Sequence, residues 1–223
     1  RGRWPKSGPG YSHSADNPNF TILGDPTEAC LNVLAEKAGI NLNDNHTWAP
    51  RLKEIPFDSD RKRMTTVHKL EAGLDGSHHI SITKGAPKEV MELCSDYYDN
   101  QGMIKSLTAT ERQAILAAND QFARDGLRVL AVAYRPLDSE HIGEDKWDMQ
   151  TLEDNMVFLG LVAMSDPPRQ GVREAIEKCH RASIRIIMVT GDYGLTALSI
   201  AKKIGIVQGD DARVVSGLEL ADM

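Results

Sequence analysis

The sequence predicts an α+β fold: an antiparallel sheet flanked by helices, followed by a partial parallel α/β segment. Three observations carry that expectation. RLKEIPF, MTTVHKL and HISITK are short strand-like runs separated by the turn-rich DSDRK and EAGLDGS, the pattern of antiparallel hairpins. Helical stretches with their own start and stop residues interrupt the strands. From Met156 the character changes: the nearly continuous apolar run MVFLGLVAMS leads into GVREAIEKCHRA, IRIIMV and LTALSIAKKIG. That β-α-β-α series implies a parallel sheet with covering helices. The expected organisation is an irregular lead-in over 1–20, a first part over 21–155 and a second over 156–223.

Residues 1–20 are rich in Gly, Pro, Ser and Asn and show no periodicity. GDPTEACLNVLAEKAGI then reads as a helix. Asp25 can cap it, Pro26 suits its first turn, Glu28 stands at the capping-box position and Gly39 can end it. After the three strands, Pro87 opens a helix to about Cys94, and YYDNQGMIKSL reads as a short hairpin. TATERQAILAANDQFARDG is a second capped helix, with Thr108 and Glu111 as its box and Gly126 as its stop. LRVLAVAYR is a strand, and residues 136–151 are polar and loop-like.

Composition excludes several classes. A chain of 223 residues with 41% hydrophobic and 26% charged residues is an ordinary globular protein, and a net charge of −6 argues against non-specific binding of nucleic acid or anionic membrane. No apolar run is long enough to span a bilayer. The basic start, RGRWPK, lacks the apolar region of a secretory signal. The three cysteines, Cys30, Cys94 and Cys179, show no paired spacing and suit a reducing, cytosol-facing environment. Cys30 and Cys179 fall on apolar helical faces, where core filling is expected. The histidines form no metal-binding constellation.

Chemistry concentrates at strand ends. In HHISITKGAPKEV a strand stops at Lys84 and Gly85, and a helix opens at Pro87; free N–H groups at a helix start suit a phosphate. In RIIMVTGDYGLTA a strand is expected to end at Val189, with Thr190, Gly191 and Asp192 in the bend, the arrangement of an oxyanion corner; alternatively Asp192 only caps the helix. AMSDPPRQGVREA holds Asp166, Pro167, Pro168 and Arg169 in a stiff turn read as a hinge strut. IPFDSDRKRMT brings the aromatic Phe57 close to Lys62, a ring able to stack on a base beside a cation able to meet phosphate, although a core Phe and a solvated turn would look the same. Arg128 and Leu130 share one face of a strand. The commonest phosphate cradles, G-x-x-x-x-G-K-[ST] and G-x-G-x-x-G, do not occur.

In order, GDPTEACL, PFDSDRKRMT, TKGAPKEV, DGLRVLAVAYR, GLVAMSDPPR and MVTGDYGLTALSIAKKIGI resemble the nucleotide-binding (N) domain and part of the phosphorylation (P) domain of a P-type cation-transporting ATPase, over about residues 20–207. The resemblance implies that Lys84 and Gly85 line an ATP pocket, that Phe57 stacks on adenine, and that Lys62 is a second pocket lysine. It makes Glu28 an acidic neighbour of the adenine, Arg128 the arginine that reaches toward the phosphates, and Leu130 a pocket wall. It implies that Thr190 and Gly191 hold the transferring phosphoryl group with Asp192 in support, and that Asp166 to Arg169 join the two domains. The second part would be haloacid-dehalogenase-like.

The family's aspartate-lysine-threonine-glycine-threonine motif, which carries the phosphorylated aspartate, is absent, as is its magnesium-binding motif. The resemblance therefore implies a piece from the cytosolic side of a membrane pump, partnered in the parent by its remaining phosphorylation, actuator and membrane domains. Alone it would bind ATP without turning it over, with the Mg2+ ligands mostly elsewhere. Tyr193 and Ser59 depart from the residues common in the family. No His-Pro dipeptide marks the heavy-metal branch, and calcium is the favoured ion. A soluble haloacid-dehalogenase-like phosphatase and a non-catalytic nucleotide sensor remain open as alternatives.

Overall fold

The computed structural model describes residues 26–40, 49–137, 147–165, 167–209 and 212–221. The chain divides into two compact units, 1–50 and 51–223. In the first, helix α1 spans Pro26–Lys37. Gly39, at φ 77°, takes the left-handed conformation expected of a helix stop. Asp25 and the side chain of Glu28 lie outside the described residues, so the cap expected there does too.

In the second unit, strands β1 (Arg51–Asp58), β2 (Arg63–Leu74), β3 (Ser77–Gly85), β4 (Cys94–Tyr98), β5 (Ile104–Ser106), β6 (Arg128–Leu137) and β7 (Met156–Met164) form one seven-stranded sheet in the order β1-β2-β3-β6-β7-β4-β5. Every pairing is antiparallel except β4 with β7. Helix α2 is Pro87–Met91, α3 is Ala109–Arg124, α4 is the single turn Met149–Leu152, α5 is Val172–Arg181, α6 is Gly194–Ile204 and α7 is Gly217–Ala221.

Strand alternation sorts the side chains. Thr65 and Val67 on β2, Ser81 and Thr83 on β3, and Ala131 and Ala133 on β6 are buried on one face. Toward β4 that face is covered by Val90, Met91, Leu107, Met156 and Phe158. Toward β1 it is covered by Trp147 and Leu152, which close over Val67 and Leu137. The segment holding α4 is tied down by hydrogen bonds: Ser81 Oγ donates to Leu152 O at 2.8 Å, and Lys53 Nζ donates to Trp147 O at 2.5 Å. The fully buried cysteine is Cys94, whose thiol burial pushes up to about 12; Cys30 and Cys179, expected to fill the core, are only half-buried.

His79 packs its ring 6.2 Å from that of Trp147, and its buried Nδ1 has no hydrogen-bond partner among the described residues. Burial holds its pKa below the ordinary 6.5, and the nearby Lys69 and His78 push the same way. The fold therefore resists protonating it. Its contribution to stability is intact above 6.5 and is lost as pH falls through the depressed folded value. The urea midpoint is expected to fall on acidification from about pH 7.5 to about pH 5.5, and to fall less in His79→Phe; equal losses in both chains would remove His79 as the cause.

Two expectations are corrected. Met156–Met164 does not open a separate parallel sheet: β7 lies between β6 and β4 in the sheet already described. Its apolar run reflects that interior place, and its one parallel partner is β4. Ile184–Val189, expected as a second parallel strand, has no regular structure, and no strand among the described residues pairs with it. A lone extended segment leaves its backbone groups to water, and Ile187 and Val189 are 77% and 92% exposed. The haloacid-dehalogenase-like sheet is therefore not formed among the described residues. The helices around that segment, α5 and α6, are present. At α3 the hydroxyl of Thr108 donates to the Glu111 carboxylate instead of capping a backbone N–H.

Candidate functional site

The face of the sheet opposite the core carries the candidate residues. Cross-strand register aligns Met64 with Lys84, Lys84 with Val132, and Val132 with Gly160, so these four form one row across β2, β3, β6 and β7. Thr66 and Ile82 belong to the next row, and Leu130 pairs with Val162. All of these are partly exposed, whereas Thr65, Val67, Ser81, Thr83, Ala131 and Ala133, which alternate with them on β2, β3 and β6, are buried. Arg128, opposite Met164, continues the same face as Leu130. Farther down, the face closes over Tyr134, which is 2% exposed. Its hydroxyl donates to the Asp75 carboxylate, and its ring stacks on Tyr98 at 6.0 Å.

Phe57 joins this arrangement through a bulge. Asp58 pairs with Arg63 and Ile55 with Thr65, so Pro56 and Phe57 together stand opposite Met64. Phe57 is 64% exposed, an unusual cost for a large apolar ring on a strand. Strands lie roughly 5 Å apart, which puts the Phe57 backbone about 10 Å from that of Lys84.

Gly85 explains why the smallest residue follows that lysine. A Cβ on Gly85 would lie 2.4 Å from Lys62 O, 2.6 Å from Arg63 Cβ and 2.7 Å from Arg63 Cα. The β1–β2 turn thus rests directly on the end of β3. Asp58 builds that turn by accepting from the backbone N–H of Asp60 and Arg61 at 3.0 and 2.8 Å. Lys62 itself sits at φ 52°, a left-handed conformation that costs a side-chain-bearing residue ~1–2 kcal/mol. Its backbone is clamped: its N–H donates to Asp58 O at 2.7 Å, and its carbonyl accepts from Ala86 N–H at 2.9 Å. Its Nζ meets Glu89 Oε1, on α2, at 2.8 Å.

Arg128 makes a charged contact at the far end of the face. Its Nη2 and Nε donate to Asp192 Oδ1 at 2.6 and 3.1 Å. Thr190 Oγ1 accepts from the Asp192 N–H at 3.0 Å, closing a tight bend, and Gly191 is exposed with open space around its α-carbon. The bend is also held through Tyr193. Its hydroxyl donates to Asp120 Oδ1 at 2.9 Å, and Lys88 Nζ lies 5.0 Å above its ring. The hydrogen bond to Tyr193 raises the Lys88 pKa above its ordinary value. Thr196 Oγ1 donates to Leu127 O at 3.1 Å, attaching α6 beside β6.

The structure brings Lys62, Lys84 and Gly85 together, sets Leu130 on the same face and pairs Arg128 with Asp192. Pro167, Pro168 and Arg169 are exposed and lie outside this cluster; Asp166 and the Glu28 side chain fall outside the described residues. Sequence reasoning missed Met64, which faces Lys84 directly, although the alternation of MTTVHKL places it on the open face. It also missed Glu89 and Tyr193 as partners of Lys62 and Lys88; pairings this distant leave no local signature. Among the described residues no group of three or more His, Cys, Asp or Glu could hold a metal ion, and no helix is long and apolar enough to cross a membrane.

Comparison with known proteins gives a consistent picture. The family model for the P-type ATPase cytoplasmic domain N matches residues 10–171, a stretch that runs past β7. The chain is similar to Calcium-transporting ATPase 1 of Bacillus cereus, with 37% identity over 208 residues, covering 93% of this chain and 22% of the relative. It is similar to Cation-transporting ATPase pma1 of Synechocystis sp., with 35% identity over 211 residues, 95% of this chain and 22% of the relative. Probable cation-transporting ATPase F of Mycobacterium tuberculosis is 34% identical over 209 residues, 92% of this chain and 22% of the relative. The chain spans about a fifth of the length of the curated relatives it matches.

Proposed function

Because the chain belongs to the P-type ATPase cytoplasmic domain N family, we propose that the open face of β1, β2, β3 and β6 binds ATP and presents it for phosphoryl transfer in a cation-transporting parent. The observation that carries this reading is the row in which an exposed aromatic, Phe57, and a lysine, Lys84, flank Met64 on one rigid sheet. A purine needs a flat apolar surface and a triphosphate needs cations, and a sheet holds both at fixed spacing. Phe57 and Met64 would hold the base, with Leu130 as a wall. Lys84 and Lys62 would attract the phosphates, and the crowded Gly85 keeps the Lys62 turn against them. Arg128 would exchange Asp192 for phosphate.

The remaining roles follow the same reading. Thr190, Gly191 and Asp192 form the corner that receives the phosphoryl group, and Pro167 to Arg169 connect the nucleotide-binding part to it. On this reading the division between these parts would lie beyond Met164, which keeps β7 with its sheet. The acceptor aspartate is not in this sequence, so this chain alone is expected to bind ATP without forming a phosphoenzyme. In the parent, on the cytosolic side of a membrane, the remaining phosphorylation, actuator and membrane domains complete the cycle. Mg2+ would accompany the phosphates there. Calcium is the proposed cargo, as the name of the Bacillus cereus relative states for that protein.

Stacking contributes ~1–3 kcal/mol and each charged hydrogen bond ~1.5–3, against an association cost of at least ~4. A Kd on the order of 0.1 to a few mM follows. Titrating the chain with ATP should shift the amide resonances of Phe57, Lys62 and Lys84 saturably in that range. The absence of saturable shifts at these positions would overturn the reading. Lys62 is 57% exposed in its pair with Glu89, where water screens the attraction, so releasing it costs little. Glu89→Gln is therefore expected to tighten ATP binding by roughly two- to threefold, measured by the same titration at low salt.

A further inference from the structure

A buried charge cluster lies on the opposite side of the sheet from the nucleotide face, and the proposed function makes no use of it. Glu153 follows α4 and its side chain is 3% exposed. Its Oε1 meets Arg61 Nη2 at 3.2 Å and accepts from Thr65 Oγ1 at 2.7 Å. Its Oε2 accepts from Arg63 Nε at 2.8 Å. Thr83 Oγ1 lies 2.7 Å from Thr65 Oγ1 and donates to it, since the Thr65 proton goes to the carboxylate. Arg61 also donates to Arg63 O at 3.2 Å.

The two arginines flank Lys62. One buried carboxylate therefore grips the residues on either side of the strained lysine. A buried ion cluster returns little net stability compared with apolar side chains of similar volume, so stability alone gives this one little reason to exist. A left-handed non-glycine residue persists only where its surroundings over-determine it, and such residues gather at ligand clamps. We infer that Glu153 is a positioning residue for nucleotide binding: by holding Arg61 and Arg63 it fixes the turn that presents Lys62 and sets the end of β1 carrying Phe57. The inference rests on the ATP-binding reading above and adds to it a residue that does not touch the nucleotide.

The test uses the full 223-residue chain. Glu153→Gln keeps the shape and removes the charge. ATP binding is expected to weaken by roughly fivefold, within the coupling seen inside one ion-pair network, and hydrogen exchange at the Lys62 and Ala86 amides is expected to accelerate. Leu107→Ala serves as the control, because Leu107 belongs to the core near β4. It should lower the melting temperature while leaving ATP affinity and the exchange rates of those two amides unchanged. A folded Glu153→Gln chain whose ATP affinity is within about twofold of the parent's overturns the inference and leaves the ATP reading intact. A parent chain that takes up no ATP overturns both. Should Glu153→Gln fail to fold, Arg61→Met carries the test. It cuts one of the two bridges at a side chain that is 19% exposed, and unchanged ATP affinity in that chain likewise overturns the inference.

Discussion

Gly85→Ala is expected to lower the stability of the sheet unit by ~1–3 kcal/mol and to reduce ATP binding below detection. The added methyl would sit 2.4 Å from the Lys62 carbonyl oxygen and within 2.7 Å of two Arg63 atoms. Two of those three atoms are backbone, so no side-chain rotation relieves the clash. Either β3 or the β1–β2 turn must move. If the turn moves, Lys62 loses the Ala86 N–H that holds its carbonyl, and the end of β1 moves with it. The backbone freedom of glycine is not the issue, since Gly85 is not in the left-handed region; space is. A urea titration measures the first effect and ATP-dependent amide shifts the second. An alanine chain with the parent's midpoint and affinity would show that strand and turn do not press together as described.

Lys84→Ala should produce the complementary result, a large loss of binding with little change in the fold. Lys84 lies between Met64 and Val132 on the open face and is half-buried. Removing a cation that meets phosphate costs ~1.5–3 kcal/mol, or a rise in Kd of roughly ten- to a hundredfold. Substitutions at partly open positions like this one usually change stability by no more than ~0.5 kcal/mol. The variant should also show a weaker dependence of Kd on salt, because one screened attraction is gone. A Lys84→Ala chain that binds ATP as the parent does would remove this face as the phosphate site.

The strands of the sheet are legible in the sequence because each obeys one local rule. MTTVHKL and HISITK alternate, and DSDRK between RLKEIPF and MTTVHKL marks a turn, so β1, β2 and β3 follow directly. Phe57 and Lys84 are legible because each sits at the end of a run. The left-handed turn at Lys62 is not, since it packs against Gly85 on another strand and the arginines beside it meet Glu153 still farther away. β7 misleads because a continuous apolar run marks an interior strand without naming its neighbours; this one lies between β6 and β4. Ile184–Val189 misleads differently. Its composition is that of a strand, but a strand exists only with a partner to receive its hydrogen bonds.

The place of β7 also bears on how the chain reaches its native state. β4 and β6 never pair with one another; each waits for a segment that leaves the ribosome after both. Closing the β4–β7 ladder joins Cys94 to Met156, a long loop whose ordering must precede any reward. Until then two hydrogen-bonding edges stand open, the condition that invites aggregation during synthesis. A polypeptide stopped short of Met156 should therefore collect in inclusion bodies, whereas one extended through Met164 has the edges of both β4 and β6 occupied by β7.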